Sequence, residues 1–148
     1  MLINEYKPGE GIMPHEDGDA YADVVATVSL GAALCLDIVP KPGCQEEKKE
    51  DGIEGERKGW KVPTRIFQEP RSLLITTGAA YRELMHGISA IEVDEDLRAE
   101  TVANWELLGE KGKIEENGRR NERGMRVSLT YRDVLKISKA ASRIFGRR

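Results

Sequence analysis

Two cysteines in 148 residues, Cys35 and Cys44, are too few for a disulfide framework. The histidines are also only two, His15 and His86. A structural zinc ion wants four ligands, mostly Cys and His, and with Cys44 in a loop and Cys35 inside a strand no such set is found. No apolar run approaches the roughly 20 residues needed to span a bilayer. The longest, residues 30–39, is interrupted by Asp37. Residues 1–4 show no secretory signal pattern, so the expected setting is a reducing intracellular compartment, cytoplasm or nucleus. There are no internal repeats, and strands do not alternate with helices as they do in a parallel α/β fold.

What is there fits one domain with a real core. Hydrophobic residues make up 39% and charged residues 33%, the balance of a soluble globular chain with polar loops. The net charge of -3 gives no overall pull towards a polyanion, but the charge is uneven. Residues 119–148 hold ten Lys and Arg against two Asp and Glu. A basic end on an acidic body can meet a nucleic acid, or can simply be a solvated basic face.

Along the chain, residues 2–6 read as a short strand ended by the Lys7-Pro8-Gly9 turn. The β-branched run at 23–30 predicts a buried strand, and 33–39 the next, with Cys35 as a small buried thiol. Residues 40–63 carry four glycines and the charged run 46–51, and are expected to form a long flexible insertion with Cys44 exposed. Strand-like runs follow at 64–68, 72–77 and 81–88, with a turn at Gly87. A second insertion begins beyond Asp94. Leu97, Val102, Trp105 and Leu108 have the spacing of a short amphipathic helix, and 111–124 reads as a loop. Residues 125–132 (MRVSLTYR) alternate: Met125, Val127, Leu129 and Tyr131 on one face, Arg126, Ser128, Thr130 and Arg132 on the other. A C-terminal helix is expected over 134–145, with Val134, Ile137, Ala141, Ile144 and Phe145 as its apolar stripe. About seven short strands joined by turns predict a mainly β fold, an antiparallel sandwich or jelly roll.

Three residue sets carry chemistry. His15 and Asp17 stand one residue apart, so an extended backbone points both to one face. A jelly roll lets His86 join them at the mouth of the barrel. Two imidazoles and one carboxylate on one side of an ion leave other coordination positions open, as suits non-haem Fe(II). Each histidine also has a simpler reading as a core or surface side chain. Arg126 and Arg132 share one strand face about 20 Å apart. One of them could hold a carboxylate bidentately if buried. The alternation alone favours two surface arginines.

Taken together, Asn4-x-Tyr6, Pro8-Gly9, His15-x-Asp17, His86-Gly87-Ile88 and Arg126-x-Ser128-x-Thr130-x-Arg132 resemble the AlkB-like Fe(II)/2-oxoglutarate dioxygenases. Residues 11–18 and 69–74 resemble in particular the subgroup of the sixth AlkB homologue. The likeness covers nearly the whole chain apart from the two insertions. It implies a double-stranded β-helix with two loop insertions and a C-terminal helix, with residues 1–148 as the catalytic core. It implies Fe(II) on His15, Asp17 and His86, and 2-oxoglutarate held by Asn4, Tyr6, Arg126, Ser128 and Arg132. Ser128 stands where many AlkB relatives have Asn, a departure shared with the sixth-homologue subgroup. The implied reaction uses 2-oxoglutarate and O2 for oxidative demethylation or hydroxylation of an alkylated nucleic acid or other substrate, with succinate and CO2 as co-products. The basic C-terminal segment would contact the nucleic acid.

In the family a segment before Asn4 builds the substrate lid. This chain is therefore expected to be an N-terminally truncated core, binding iron and 2-oxoglutarate but demethylating nucleic acid poorly. The competing reading is a jelly-roll module that binds metal without turning over. The residues named here do not choose a substrate.

Overall fold

The computed structural model describes residues 1–18, 20–42 and 64–135. Two four-stranded antiparallel sheets face each other. The first joins β1 (Leu2–Tyr6), β10 (Arg126–Val134), β3 (Tyr21–Gly31) and β6 (Leu73–Thr77), in that order. The second joins β2 (Ile12–His15), β7 (Leu84–Ile88), β4 (Leu34–Pro40) and β5 (Thr64–Gln68). The fold is the expected mainly β jelly roll, in which first and last strands lie side by side, with Leu2 opposite Thr130 and Tyr6 opposite Arg126.

The period-two alternation of β4 and β5 separates two hydrophobic clusters. Leu34, Leu36 and Ile88 point between the sheets, joined by Tyr6, Ile38, Ile66 and Leu74. Cys35 and Phe67, paired across the strands, point the other way. There they pack with Leu97, Val102, Trp105, Leu108 and Ile114 from the second insertion. That insertion contains α2 (Lys111–Glu116) and β9 (Asn121–Glu122), which pairs with β8 (Val93–Asp94) just before it. A buried ion pair ties it down: Arg123 donates to both Asp94 carboxylate oxygens, at 2.6 and 3.1 Å. The same carboxylate accepts from Asn121 and from the backbone N–H of Cys35, so every lone pair facing the protein is used.

Several expectations are corrected. Leu97, Val102, Trp105 and Leu108 are all buried, but they do not lie on a helix. The segment makes turns and a single 3-10 turn, Trp105–Leu107. Its backbone is spent instead on the edge of β5, where Ala103 donates to Arg65 and the Asn104 amide bonds both backbone groups of Phe67. Closing an open sheet edge outweighs helical spacing here. Residues 111–124 are not all loop, since they contain α2 and β9. Residues 81–88 are not one strand: α1 (Gly78–Glu83) occupies the first part and β7 the rest. Gly87 lies inside β7 and is no turn. Val134 ends β10 in extended conformation and starts no helix. Residues 136–145 of that expected helix, Cys44 and most of the first insertion lie outside the described residues.

The alternation of β10 is oriented opposite to the usual rule. Its polar residues Arg126, Ser128 and Thr130 are buried between the sheets, whereas Met125 and Tyr131 are exposed. Ile3, Val24, Leu73 and Ile75 share that exposed outer face. A sheet that turns its polar face inward is built around a polar cavity rather than a dry core.

Candidate metal and cosubstrate site

Local backbone features bring His15 and His86 together. The two are direct partners in the β2–β7 pairing, with a register shift between Ile12 and His15 that re-aims the second side chain. Pro14 is tolerated because β2 is an edge strand. The strands approach so closely that a Cβ on Gly87 would lie 2.8 Å from the Pro14 nitrogen, and one on Gly11 would lie 2.3 Å from the Ile88 oxygen. Glycine is therefore required at both positions. The imidazole centroids stand 4.5 Å apart, and ligating atoms of His15, Asp17 and His86 all lie within 4.8 Å of one another.

The surroundings fix these groups. His15 Nδ1 is 2.9 Å from the Met13 carbonyl, so that nitrogen carries the proton and Nε2 is left to ligate. Burial lowers the His86 pKa, with His15 and Arg132 acting in the same direction and Asp17 opposing them, so His86 favours the neutral form a metal needs. Arg132 pairs with the buried Asp17 at 3.0 Å and lies over the Tyr21 ring, 4.9 Å from its centroid. This holds one carboxylate oxygen and the aspartate's orientation.

From the triad a cavity of about 140 Å³ runs between the sheets, lined also by Asn4, Tyr6, Arg126, Ser128 and Arg132. Asn4, Ser128 and Ser29 stand in one register row across β1, β10 and β3, and Tyr6 pairs with Arg126 in the next. All eight residues singled out from the sequence therefore meet in one cavity. Sequence reasoning missed Ser29 and Gln68, both buried, which accept from Arg126 Nη2 at 3.0 and 2.6 Å. The available signal was a polar residue on the apolar face of a short strand, Gln68 two places after Ile66.

Arg126 is 2% exposed, and no carboxylate of the described residues compensates it. Its Nε is buried without a hydrogen-bond partner. Burial pulls its pKa down to about 10, only partly offset by Tyr6. A charge so placed calls for an anion that the described residues do not supply. Burial raises the Tyr6 pKa, the largest influence on it, so at neutral pH its hydroxyl remains a donor aimed into the same cavity. A three-donor face at one end and an anion-seeking guanidinium at the other fit Fe(II) with a 2-oxo dicarboxylate.

Residues 1–132 match the family model described as the 2OG-Fe(II) oxygenase superfamily. This chain belongs to that superfamily. Within it the chain is AlkB-like. It is 39% identical over 140 residues to a Danio rerio protein named "Probable RNA/DNA demethylase ALKBH6", a match covering 95% of this chain and 55% of that protein. It is 30% identical over 137 residues to "Uncharacterized protein L905" of Acanthamoeba polyphaga mimivirus, covering 92% of this chain and 48% of that protein. It is 28% identical over 138 residues to the Mus musculus "tRNA (carboxymethyluridine(34)-5-O)-methyltransferase ALKBH8", of which the match covers 18%. The chain thus spans about half the length of the first two relatives. Fe(II) and 2-oxoglutarate are the metal and cosubstrate of its family, and the cavity has the donor chemistry for both. Among the described residues, no helix is long and apolar enough to cross a membrane.

Proposed function

We propose that this chain is the catalytic core of a dioxygenase that oxidatively demethylates or hydroxylates an alkylated nucleic acid, releasing succinate and CO2. One observation carries the reading: His15, Asp17 and His86 converge at one end of a cavity whose other end holds the uncompensated Arg126. The name of the ALKBH6 relative supports a nucleic-acid substrate. The buried, unpaired Cys35 thiol supports a reducing compartment, cytoplasm or nucleus.

In this reading His15 Nε2, an Asp17 oxygen and His86 would hold Fe(II). Iron supplies the capacity to activate O2 and oxidise a C–H bond once the 2-oxo acid is bound. The chain supplies placement. Arg126 and Tyr6 would receive the distal carboxylate, and Asn4 and Ser128 would donate to the cosubstrate from adjoining strands. Arg132 keeps Asp17 from rotating away. The interior position of the cavity limits water around the reacting groups.

The test is anaerobic titration of 2-oxoglutarate into the Fe(II)-loaded chain, followed by O2-dependent succinate formation, with His86→Ala as control. Binding and succinate that both vanish in His86→Ala are expected. Tight iron binding without 2-oxoglutarate uptake would overturn the oxygenase reading and favour a metal-binding interaction module.

A further inference from the structure

Gln68 is 2% exposed and reaches across the sandwich from β5 to β10. Arginine only donates, so the amide oxygen must face the guanidinium, and the amide group's orientation follows. Gln68 and Ser29 accept both hydrogens of Arg126 Nη2, at 2.6 and 3.0 Å. This fixes the plane of the guanidinium while adding no negative charge. The neighbouring acids are directed elsewhere. Glu69, the next residue, alternates to the other face and accepts from the backbone N–H groups of Gly109 and Glu110. Asp94 is committed to Arg123, Asp17 to Arg132, and Asp37 to Ser89. One atom's difference at position 68, amide to carboxylate, would give Arg126 an internal counter-ion.

We propose that Gln68 is a positioning residue for dicarboxylate selection: its neutral amide aims Arg126 while leaving its charge for the far carboxylate of the 2-oxo acid. This rests on the cosubstrate reading above. It makes selectivity for a carboxylate-ended acid a property of position 68 as well as of Arg126. An internal carboxylate at 68 would compete at a permanent local concentration no free cosubstrate reaches.

The experiment measures, in the Fe(II)-loaded anaerobic full chain, the affinity ratio of 2-oxoglutarate to 2-oxopentanoate, which carries a methyl group in place of the distal carboxylate. Both ligands offer the same 2-oxo acid head, so the ratio isolates the Arg126 end. In the wild type 2-oxoglutarate is expected to bind roughly 30-fold tighter or more. In Gln68→Glu the ratio should fall to near one, with 2-oxopentanoate and iron binding within about threefold of wild type. A Gln68→Glu protein that keeps the wild-type ratio, or loses both ligands equally, overturns the proposal. If Gln68→Glu does not fold, Gln68→Met decides: its ratio should drop about fivefold or more, because Nη2 loses an aiming acceptor, and an unchanged ratio refutes it. A wild-type ratio near one would overturn the cosubstrate reading itself, and this inference with it.

Discussion

Arg123 and Arg126 are both buried but make opposite demands, and replacing each by methionine separates them. Arg123 shares its burial with Asp94, whose side chain is 1% exposed. In Arg123→Met that carboxylate stays buried without its cation, which costs about 3–5 kcal/mol. For a chain of this size that lowers Tm by roughly 10–15 °C. Arg126→Met removes two charge-assisted hydrogen bonds, to Ser29 and Gln68, worth about 1.5 kcal/mol each. It also relieves the burial of an uncompensated charge. The fall of the Arg126 pKa from its ordinary value to about 10 corresponds to roughly 3 kcal/mol. The two effects nearly cancel, so unliganded Arg126→Met should melt within about 4 °C of wild type. Its affinity for 2-oxoglutarate should nevertheless fall on the order of 100-fold or more, because the carboxylate loses its buried partner. Arg123→Met, measured below its lowered Tm, should bind 2-oxoglutarate within about threefold of wild type, since it lies outside the cavity lining. Thermal unfolding followed by circular dichroism, together with calorimetric titration, reads both quantities. If Arg126→Met loses as much stability as Arg123→Met, Arg126 is a structural residue and the argument from its uncompensated charge is refuted.

Gly87→Ala places a methyl 2.8 Å from the Pro14 nitrogen. Iron affinity measured by competition with a chelator should drop about tenfold or more, with a stability loss of about 1–3 kcal/mol; an unaffected variant would show that the β2–β7 approach is not needed. The Cys35 thiol is buried and its pKa is raised by burial, with Asp94 adding to the effect. In a Cys44→Ser background it should react with a thiol reagent only on unfolding, and fast labelling of the native protein would contradict its placement. Below about pH 10 Arg126 is charged in the folded protein. The 2-oxoglutarate affinity should therefore be flat from about pH 7 to 9 and weaken above about 10. Because its folded pKa lies below the unfolded one, the folded state binds fewer protons between those values. The stability cost is thus fully present below about 10 and is relieved as pH rises above it towards the ordinary arginine value, the reverse of an ion-paired arginine.

The strands β1, β3, β4 and β5 were legible because β-branched runs and alternation report directly on a pleated, half-buried surface. His15 and Asp17 were legible as a pair from spacing alone. Their meeting with His86 was not, since it depends on strand register and on the missing Cβ of Gly87. The β10 strand shows why pattern reasoning fails at such a site. Its alternation is plain in the sequence, but the usual preference puts Val127 and Leu129 inward and leaves Arg126 at the surface. The structure does the reverse, because the inward row is reserved for ligands. The residues 97–108 failed differently. Helical spacing reported burial correctly, while their backbone hydrogen bonds were claimed by the edge of β5, a partner some forty positions away that no local window contains.

The buried cluster of Cys35, Phe67, Leu97, Val102, Trp105, Leu108 and Ile114 lies behind the second sheet, on the side away from the cavity. What keeps the molecule folded and what gives it chemistry are thus divided by the thickness of one β-sheet. Changes in cavity residues can redirect which acid or base is accepted while the hidden side holds the scaffold steady. Such a division leaves room for related chains to diverge in reactivity without first gaining stability.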